Sequence, residues 1–600
     1  MKHSKPDPGM DSLQCEVSTM SERCLIECLS LSAMLSLPSS FVRDLSNARL
    51  RSHENSPVTQ ISCSCTRGRK RSVVTSESVA EDTRKHGSAS LITERISSAD
   101  TPVAGCLSTG QQDSAPLLHA LKISAEKDVA CFHFPGHNRG KAVPQLMSQL
   151  FGPETFRYDL PELPELDDLF SPNGVILDAQ KRAAELFGSS ETWFLVGGTT
   201  CGVQASIMAT CSPGETLILP RNSHLSAISG LTLSGAVPKY IIPEYNSQWD
   251  IPGGITALQV EKAIEELKEE GKTAAAVLIT SPTYHGICSN VREIAKLCHS
   301  HSIPVIVDEA HGAHFRFHAE FPSTALEQGA DLAVQSTHKV LNSLTQSSML
   351  HMSGNLVDID TMSRCLQTLQ SSSPSYLLLA SLDAARAQLS ENPLGIFNKA
   401  MDLSLEAKGK ISRIPGISIL NLLSFTSGFP AIDPLRLTLG VSQLQISGYT
   451  ADDIIEQKLN IYSELAGSQS ITFAVNLGTQ RESIQRLVSG MNHLSATFYQ
   501  KRNQLCRNAD KVCAPFDDVT VKLSPREAFF SRKRKASIRE SFGQVCGEMV
   551  CSYPPGIPVL IPGEVITEKA LLYLLDVKKM GAAISGAADQ QLNSIVVCIV

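Results

Sequence analysis

Short apolar runs alternate with longer amphipathic segments along the middle of the chain. Residues 193–196, 216–219, 237–242, 274–280, 304–307 and 330–334 have the length and composition of buried strands. Segments with helical periodicity separate them, among them 201–210, 260–270 and 291–299. Regular alternation of this kind predicts an α/β fold with a mostly parallel sheet covered by helices on both faces.

A smaller unit follows the alternating region. Two predicted helices, 376–389 and 396–412, lead to strands at 435–441 and 471–477 and to helices at 451–459 and 482–494. The charged stretch 531–535 predicts a solvated loop. We therefore expect an extension over residues 1–110, a large domain over 111–410 and a smaller C-terminal α/β domain over 411–600.

The extension has a different composition from the rest of the chain. It is rich in Ser, Arg and Thr and has little helical or strand periodicity, so it can bury little core. A Ser- and Arg-rich start is typical of organelle transit peptides, but Asp7, Asp11, Glu16 and Glu22 are unusual in them. Both interpretations, a transit peptide and a disordered extension, stay open. No basic start is joined to a compact apolar core, so we do not expect secretion.

The overall composition is that of an ordinary globular protein, with 42% hydrophobic and 19% charged residues. A formal net charge of -7 gives no reason to expect nucleic acid or an anionic membrane as a partner. No apolar run is long enough for a transmembrane helix. The 17 cysteines lack a repeated metal-ligand spacing, which predicts small buried hydrophobic residues in a reducing compartment and no metal site.

Lys339 follows the last strand of the alternating region, within Ser336-Thr337-His338-Lys339. Burial at a strand end lowers the pKa of a lysine and makes its amine available as a nucleophile for a carbonyl cofactor. The alternative is an ordinary loop lysine with small polar neighbours. Other strand ends favour the first interpretation.

Those strand ends carry the groups that a pyridoxal phosphate site requires. Gly198, Thr199 and Thr200 open a helix, and its N–H groups and hydroxyls suit a phosphate. Asp308 ends a buried strand and suits a pyridine nitrogen, and His224 is the candidate for one face of the ring. Because ligands bind beyond the carboxyl ends of parallel strands, these groups are predicted to meet.

These motifs resemble the Orn/Lys/Arg decarboxylases of the bacterial type, which belong to pyridoxal phosphate fold type I. The resemblance runs from about Leu117 to the C-terminus and is closest to plant members that carry an N-terminal extension. Asn138 departs from many bacterial members, which have Lys there. The motifs that carry it are 135–137, 163–169, 198–200, 221–224, 308–314, 336–348, 373–376, Glu548 and 553–558.

The resemblance implies a large domain with a seven-stranded sheet of the fold type I kind and a role for each matching residue. Lys339 would form the Schiff base with the cofactor, Asp308 would pair with its pyridinium, and His224 and Ala310 would cover its two faces. Lys339 or His338 would return a proton to the substrate carbon. The remaining predicted cofactor ligands are Gly198, Thr199, Thr200, Ser336 and His338, with Ser373 reaching the phosphate of a neighbouring subunit.

The implied activity is pyridoxal-phosphate-dependent decarboxylation of lysine, arginine or ornithine by a homodimer with shared active sites, in a plastid or the cytoplasm. Glu548 is the candidate for the distal cation of the substrate, or else a surface acid before a Pro-rich turn. One alternative is another fold type I reaction, such as transamination with Arg436 holding the carboxylate, or aldol cleavage. A second alternative is a non-catalytic protein that binds the cofactor.

Overall fold

The computed structural model describes residues 115–424, 428–499, 515–516, 519–553 and 555–600. The predicted extension over residues 1–110 lies outside the described residues and stays a prediction.

The described strands, in chain order, are β1 Glu191–Leu195, β2 Thr216–Pro220, β3 Val237–Ile241, β4 Tyr245–Asn246, β5 Ile251–Pro252, β6 Ala274–Thr280, β7 Ile287–Cys288, β8 Val305–Asp308, β9 Leu332–Gln335, β10 Ser348–Met352, β11 Ser418–Ile419, β12 Ala431–Ile432, β13 Arg436–Gly440, β14 Leu465–Ala466, β15 Ser470–Ala474, β16 Lys533–Ser537, β17 Val550–Tyr553, β18 Ile557–Leu560, β19 Ala583–Ser585 and β20 Ser594–Cys598.

The described α-helices are Pro116–Glu126, Gln145–Phe151, Val175–Phe187, Gly198–Thr210, Leu225–Ser234, Ala257–Glu269, Val291–Ser300, Thr337–Val340, Ile359–Leu369, Tyr376–Glu391, Asn398–Ile411, Gly448–Leu459, Arg481–Phe498, Pro525–Phe530, Ile538–Ser541 and Glu568–Lys579. Local signals set some of their ends. Thr256 and Gln259, for example, form a capping box at the start of Ala257–Glu269.

Seven strands form the central sheet in the order β1-β10-β9-β8-β6-β2-β3. Pairs from β9 to β3 are parallel, whereas β10 runs antiparallel to both β9 and β1. The prediction of a mostly parallel sheet of seven strands is therefore confirmed. Thr280 of β6 lies beside Asp308 of β8, and Asp308 lies beside Val334 of β9, so these strands end at one edge.

Apolar side chains cover both faces of the central sheet. On β8, Ile306 packs into one core, and Val305 and Val307 pack into another on the opposite face. Helix Gly198–Thr210 contributes to the first core and helix Val291–Ser300 to the second. A strand buried on both faces must be apolar throughout, which explains the unbroken apolar runs in the sequence.

A four-stranded antiparallel sheet, β11-β13-β15-β14, follows the large domain. Its buried Leu437 and Ile471 pack with Leu487 and Met491 of helix Arg481–Phe498. The predicted strands and helices of this smaller lobe are thus present.

The last part of the chain forms two further small sheets, β16-β20 and β18-β17-β19. The prediction of a solvated loop over 531–535 is wrong in part, because Lys533 begins β16, which pairs antiparallel with β20. Its side chains at 533–535 are exposed as expected, while Ala536 is buried. Backbone pairing with an apolar partner strand outweighs the low strand preference of the charged residues.

Within the described part of the chain, no helix has the length and apolar character that a membrane span requires.

Candidate active site

A cavity of about 790 Å³ opens at the carboxyl ends of β6, β8 and β9. We call it the lysine cavity. Its walls are formed by Gly197, Gly198, Thr199, Thr200, His224, Thr280, Tyr284, Asp308, Ala310, His311, Ser336, His338, Lys339 and Gln346. The structure thus brings together the residues predicted from separate strand ends, with two exceptions described below.

Lys339 lies in a single helical turn, Thr337–Val340, directly after β9. Its side chain projects into the lysine cavity, where water reaches it, but the packed walls still desolvate its ammonium form. Burial lowers the pKa of Lys339, the negative charges of Asp308 and Glu464 oppose this, and the charge of Arg436 adds to it. The lysine is therefore easier to deprotonate than a surface lysine.

His311 touches the lysine nitrogen. Its Nε2 lies 3.1 Å from Nζ of Lys339, and its Nδ1 lies 2.9 Å from Nη2 of Arg436. Arginine can only donate, so Nδ1 of His311 is the acceptor. Burial, with the positive charges of Lys339 and Arg436, lowers the pKa of His311 well below its usual value.

A neutral His311 that accepts at Nδ1 carries its proton on Nε2. That N–H then donates to Nζ of Lys339, and only an unprotonated amine can accept it. The contact with His311 therefore favours the nucleophilic form of Lys339.

Asp308 ends β8 and is 6% exposed. Its Oδ1 accepts a hydrogen bond from the Ala310 N–H at 3.2 Å, and no described Lys or Arg forms a salt bridge with it. Burial raises the pKa of Asp308, and the charge of Lys339 partly offsets this. A buried carboxylate in this state suits a cationic partner.

Hydroxyl groups cluster beside the start of helix Gly198–Thr210. Oγ1 of Thr199 lies 2.6 Å from Oγ of Ser336 and 3.0 Å from Oγ of Ser348. Gly198 has φ +74°, a conformation that side chains disfavour, and an added Cβ would also meet the Gln346 carbonyl at 3.4 Å. Free N–H groups at a helix start and convergent hydroxyls together suit an anion such as phosphate.

His224 is the N-cap of helix Leu225–Ser234. Its Nδ1 accepts a hydrogen bond from the Ser226 N–H at 3.3 Å. Burial, reinforced by the charge of Lys339, lowers the pKa of His224 to about 4, so the ring is neutral near pH 7. An added Cβ at Gly556 would lie 3.6 Å from this ring, which places the C-terminal part of the chain at the cavity.

His338 is fixed by a backbone contact. Its Nδ1 donates to the Ser347 carbonyl at 2.8 Å, so Nε2 is the free acceptor of the neutral ring. Burial lowers the pKa of His338, and the hydrogen bond to Ser347 opposes this. Ala310 is buried and contributes a small apolar surface to the same cavity.

The structure does not bring two predicted residues to the lysine cavity. The carboxylate of Glu548 accepts hydrogen bonds from the Ala588 and Val596 N–H groups, both at 2.7 Å, so it holds together the C-terminal sheets. Glu548 therefore lies outside the lysine cavity of the described chain, and its contact with the substrate stays a prediction. Ser373 is exposed in the turn before helix Tyr376–Glu391, and its predicted partner is a second subunit.

Sequence reasoning did not assign site roles to His311, Tyr284, Thr280 and Gln346. His311 and Tyr284 stand just beyond strand ends, which is the signal that would have found them. Arg436 was considered only for a transaminase, yet it is 4% exposed and bonded to His311. No cluster of three or more His, Cys, Asp or Glu in the described residues is arranged to hold a metal.

Comparison with known families matches two parts of the chain. The family model "Orn/Lys/Arg decarboxylase, major domain" matches residues 115–427, and "Orn/Lys/Arg decarboxylase, C-terminal domain" matches residues 511–590.

Individual relatives agree with these matches. An arginine decarboxylase of Halalkalibacterium halodurans is 36% identical over 488 residues, covering 81% of this chain and 98% of that protein. An arginine decarboxylase of Bacillus subtilis is 34% identical over 486 residues, covering 81% and 98%. The structure of the Escherichia coli constitutive lysine decarboxylase has a TM-score of 0.69 at 22% identity, covering 81% of this chain and 82% of that one, and shows the same fold.

Proposed function

The chain belongs to the Orn/Lys/Arg decarboxylase family, and from that premise we propose that it removes CO2 from lysine, arginine or ornithine with pyridoxal 5′-phosphate as cofactor. The product is the corresponding amine, a polyamine precursor. The observation that carries the proposal is the contact between Lys339 and His311, in one cavity with Asp308 and the hydroxyl cluster.

The donor set of the lysine cavity fits this cofactor. Gly198, Thr199, Thr200, Ser336 and His338 would hold the phosphate, where hydroxyls already converge at a helix start. Asp308, buried without a cationic partner among the described residues, would face the pyridinium. His224 and Ala310 would cover the two faces of the ring, and Lys339 would attach the cofactor covalently.

When bound, pyridoxal phosphate supplies an electron sink for the electron pair that departing CO2 leaves behind. The chain supplies the rest. Asp308 contributes a carboxylate, His224 contributes a neutral imidazole, and Lys339 contributes an amine whose unprotonated form is favoured by the contact with His311. After CO2 leaves, the α-carbon gains a proton in place of the carboxylate, and Lys339 or His338 donates that proton.

Arginine is the first substrate to test, because two relatives above 30% identity carry the name arginine decarboxylase.

We also propose that the protein forms a homodimer in which Ser373 of one copy reaches the cofactor phosphate held by the other copy. Large exposed apolar side chains support an interface, namely Phe132, Phe134, Leu146 and Leu150, which are 76–98% exposed. A plastid or cytoplasmic location remains a proposal that depends on the extension.

The test is product analysis with purified protein, added pyridoxal phosphate and each of the three amino acids. We expect CO2 and amine in equal amounts from at least one of them. Keto acid without CO2 would mean transamination, and no turnover of any of the three would mean that the proposed function is wrong.

A further inference from the structure

A second cavity adjoins the lysine cavity. Its volume, including the part open to solvent, is about 820 Å³, and Thr280 and Tyr284 contribute to the walls of both cavities. The Tyr284 ring centroid lies 5.9 Å from Nζ of Lys339. The second cavity is therefore next to the reacting amine. We call it the Asp250 cavity, after the carboxylate that lines it.

Asp250 lies in the turn between β4 and β5 and has φ +53°, so the backbone holds it in an unusual conformation. The hydroxyl of Tyr245 donates to one carboxylate oxygen and that of Ser468 to the other. Ser468 belongs to the smaller lobe, so both domains fix this side chain. No described Lys or Arg forms a salt bridge with Asp250, although burial raises its pKa to about 6.

Aromatic side chains surround this carboxylate. Tyr245, Tyr284, Tyr449, Tyr573 and Phe516 all line the Asp250 cavity. Burial raises the pKa values of Tyr449 and Tyr573, and the negative charge of Asp250 adds to both shifts, so the two phenols are near it and protonated. A carboxylate within aromatic walls is the combination that recognises an organic cation, either an ammonium or a guanidinium.

We propose that the Asp250 cavity binds the distal cationic group of the basic amino acid, an inference that rests on the proposed decarboxylation at Lys339. A lysine carries its charge at the end of a flexible four-carbon stem, and an arginine has a similar reach. Because Thr280 and Tyr284 line both cavities, a substrate whose α-carbon lies at Lys339 would extend past Tyr284 and place its charge in the neighbouring cavity. Asp250 takes the role for which the sequence suggested Glu548.

The main test compares the kinetics of Asp250→Asn with those of the wild-type holoenzyme. Asn has nearly the same shape and tolerates positive φ, so the fold should persist. We expect KM for the preferred amino acid to rise by about 10- to 100-fold, as for the loss of a charge-assisted hydrogen bond. The value of kcat and the absorbance of the bound cofactor should change little.

Two further variants serve as controls. Asp402→Asn removes a carboxylate that is exposed on helix Asn398–Ile411 and should leave KM unchanged. Asp250→Glu retains the charge and should recover part of the affinity that Asn loses. Equal losses in Asp250→Glu and Asp250→Asn would show that packing, not charge, matters at this position, and would overturn the proposal.

A free amine could also supply the cation, so 1,5-diaminopentane is tested as an inhibitor. Competitive inhibition that Asp250→Asn weakens in parallel with KM supports a substrate subsite. Non-competitive inhibition with an unchanged substrate KM in Asp250→Asn would assign the cavity to a separate amine and overturn the inference. Wild-type turnover with unchanged KM in the variant refutes this inference alone, whereas absence of wild-type turnover refutes the proposed function.

Discussion

Neighbours from three parts of the chain control the nitrogen of Lys339. His311 donates to it, Arg436 fixes the tautomer of His311, and Asp308 and Glu464 bias its charge. Further polar contacts lie beyond Arg436 in the core, where Oδ1 of Asp433 lies 3.1 Å from Nε2 of His314. Lys339 thus contacts a buried polar network that extends from the large domain to the smaller lobe.

Asp308 is the residue whose charge should matter most to the rate. Asp308→Asn keeps the shape of the side chain but removes the negative charge that would hold a proton on the cofactor nitrogen. We expect cofactor still to bind and single-turnover decarboxylation to slow by at least about a thousandfold, or about 4 kcal/mol of barrier, because the interaction strengthens as charge enters the ring. The rate is measured on cofactor-saturated protein.

Asp402→Asn is the matched control for this variant and should react at the wild-type rate. A rate for Asp308→Asn within about tenfold of wild type, roughly 1.4 kcal/mol of barrier, would contradict the assigned role.

The strand-end pattern sufficed to predict that Lys339, Asp308 and Thr199 lie in one cavity, because the ends of parallel strands meet at one edge of a sheet. It did not predict the role of His311, since its partner Arg436 is 125 positions away in another domain. Glu548 came from the family resemblance, either as a substrate contact or as a surface acid, and its carboxylate accepts hydrogen bonds from two backbone N–H groups. Local sequence cannot distinguish a carboxylate that is available to a substrate from one whose hydrogen bonds stabilise the fold.

At the scale of elements, the C-terminal part of the chain is joined to the segment that carries His224. Nε and Nη2 of Arg221 donate to the two carboxylate oxygens of Glu564 at 2.7 and 2.6 Å. Arg221 also donates to the carbonyls of Pro558 and Val559 at 2.7 and 3.1 Å. The ion pair is buried, with side chains 2% and 8% exposed, so water cannot take the place of either partner if the other is removed.

Breaking this pair should loosen the C-terminal sheets. Glu564→Gln leaves the Arg221 charge buried without its carboxylate, which we expect to destabilise the fold by about 3–5 kcal/mol. The measurement is the thermal unfolding midpoint, together with the rate of limited proteolysis within residues 519–600. Glu265→Gln, at an exposed position on helix Ala257–Glu269, is the control.

An unfolding midpoint and a cleavage rate for Glu564→Gln that match those of Glu265→Gln would show that the ion pair does not hold this part of the chain. The expected result is a lower midpoint and faster cleavage for Glu564→Gln alone.

Across the whole molecule, six of the seven strands of the central sheet were predictable, because each is a short apolar run. Strand β10, which runs antiparallel to both of its neighbours, was not predicted. The two C-terminal sheets were less predictable. Strand β16 begins with three exposed basic residues, and its pairing with β20 depends on a partner about sixty positions further along the chain. The same long-range packing brings Gly556 to His224 and Ser468 to Asp250.

The proposed function requires that this chain decarboxylate a basic amino acid through Lys339. The direct measurement is the release of labelled CO2 from carboxyl-labelled arginine, lysine and ornithine by wild-type and Lys339→Ala protein, both with added pyridoxal phosphate. We predict turnover of at least one amino acid by the wild type and a loss of at least about a thousandfold in Lys339→Ala, since no other amine replaces the nucleophile. Wild-type rates of CO2 release from Lys339→Ala would show that Lys339 is not required for decarboxylation.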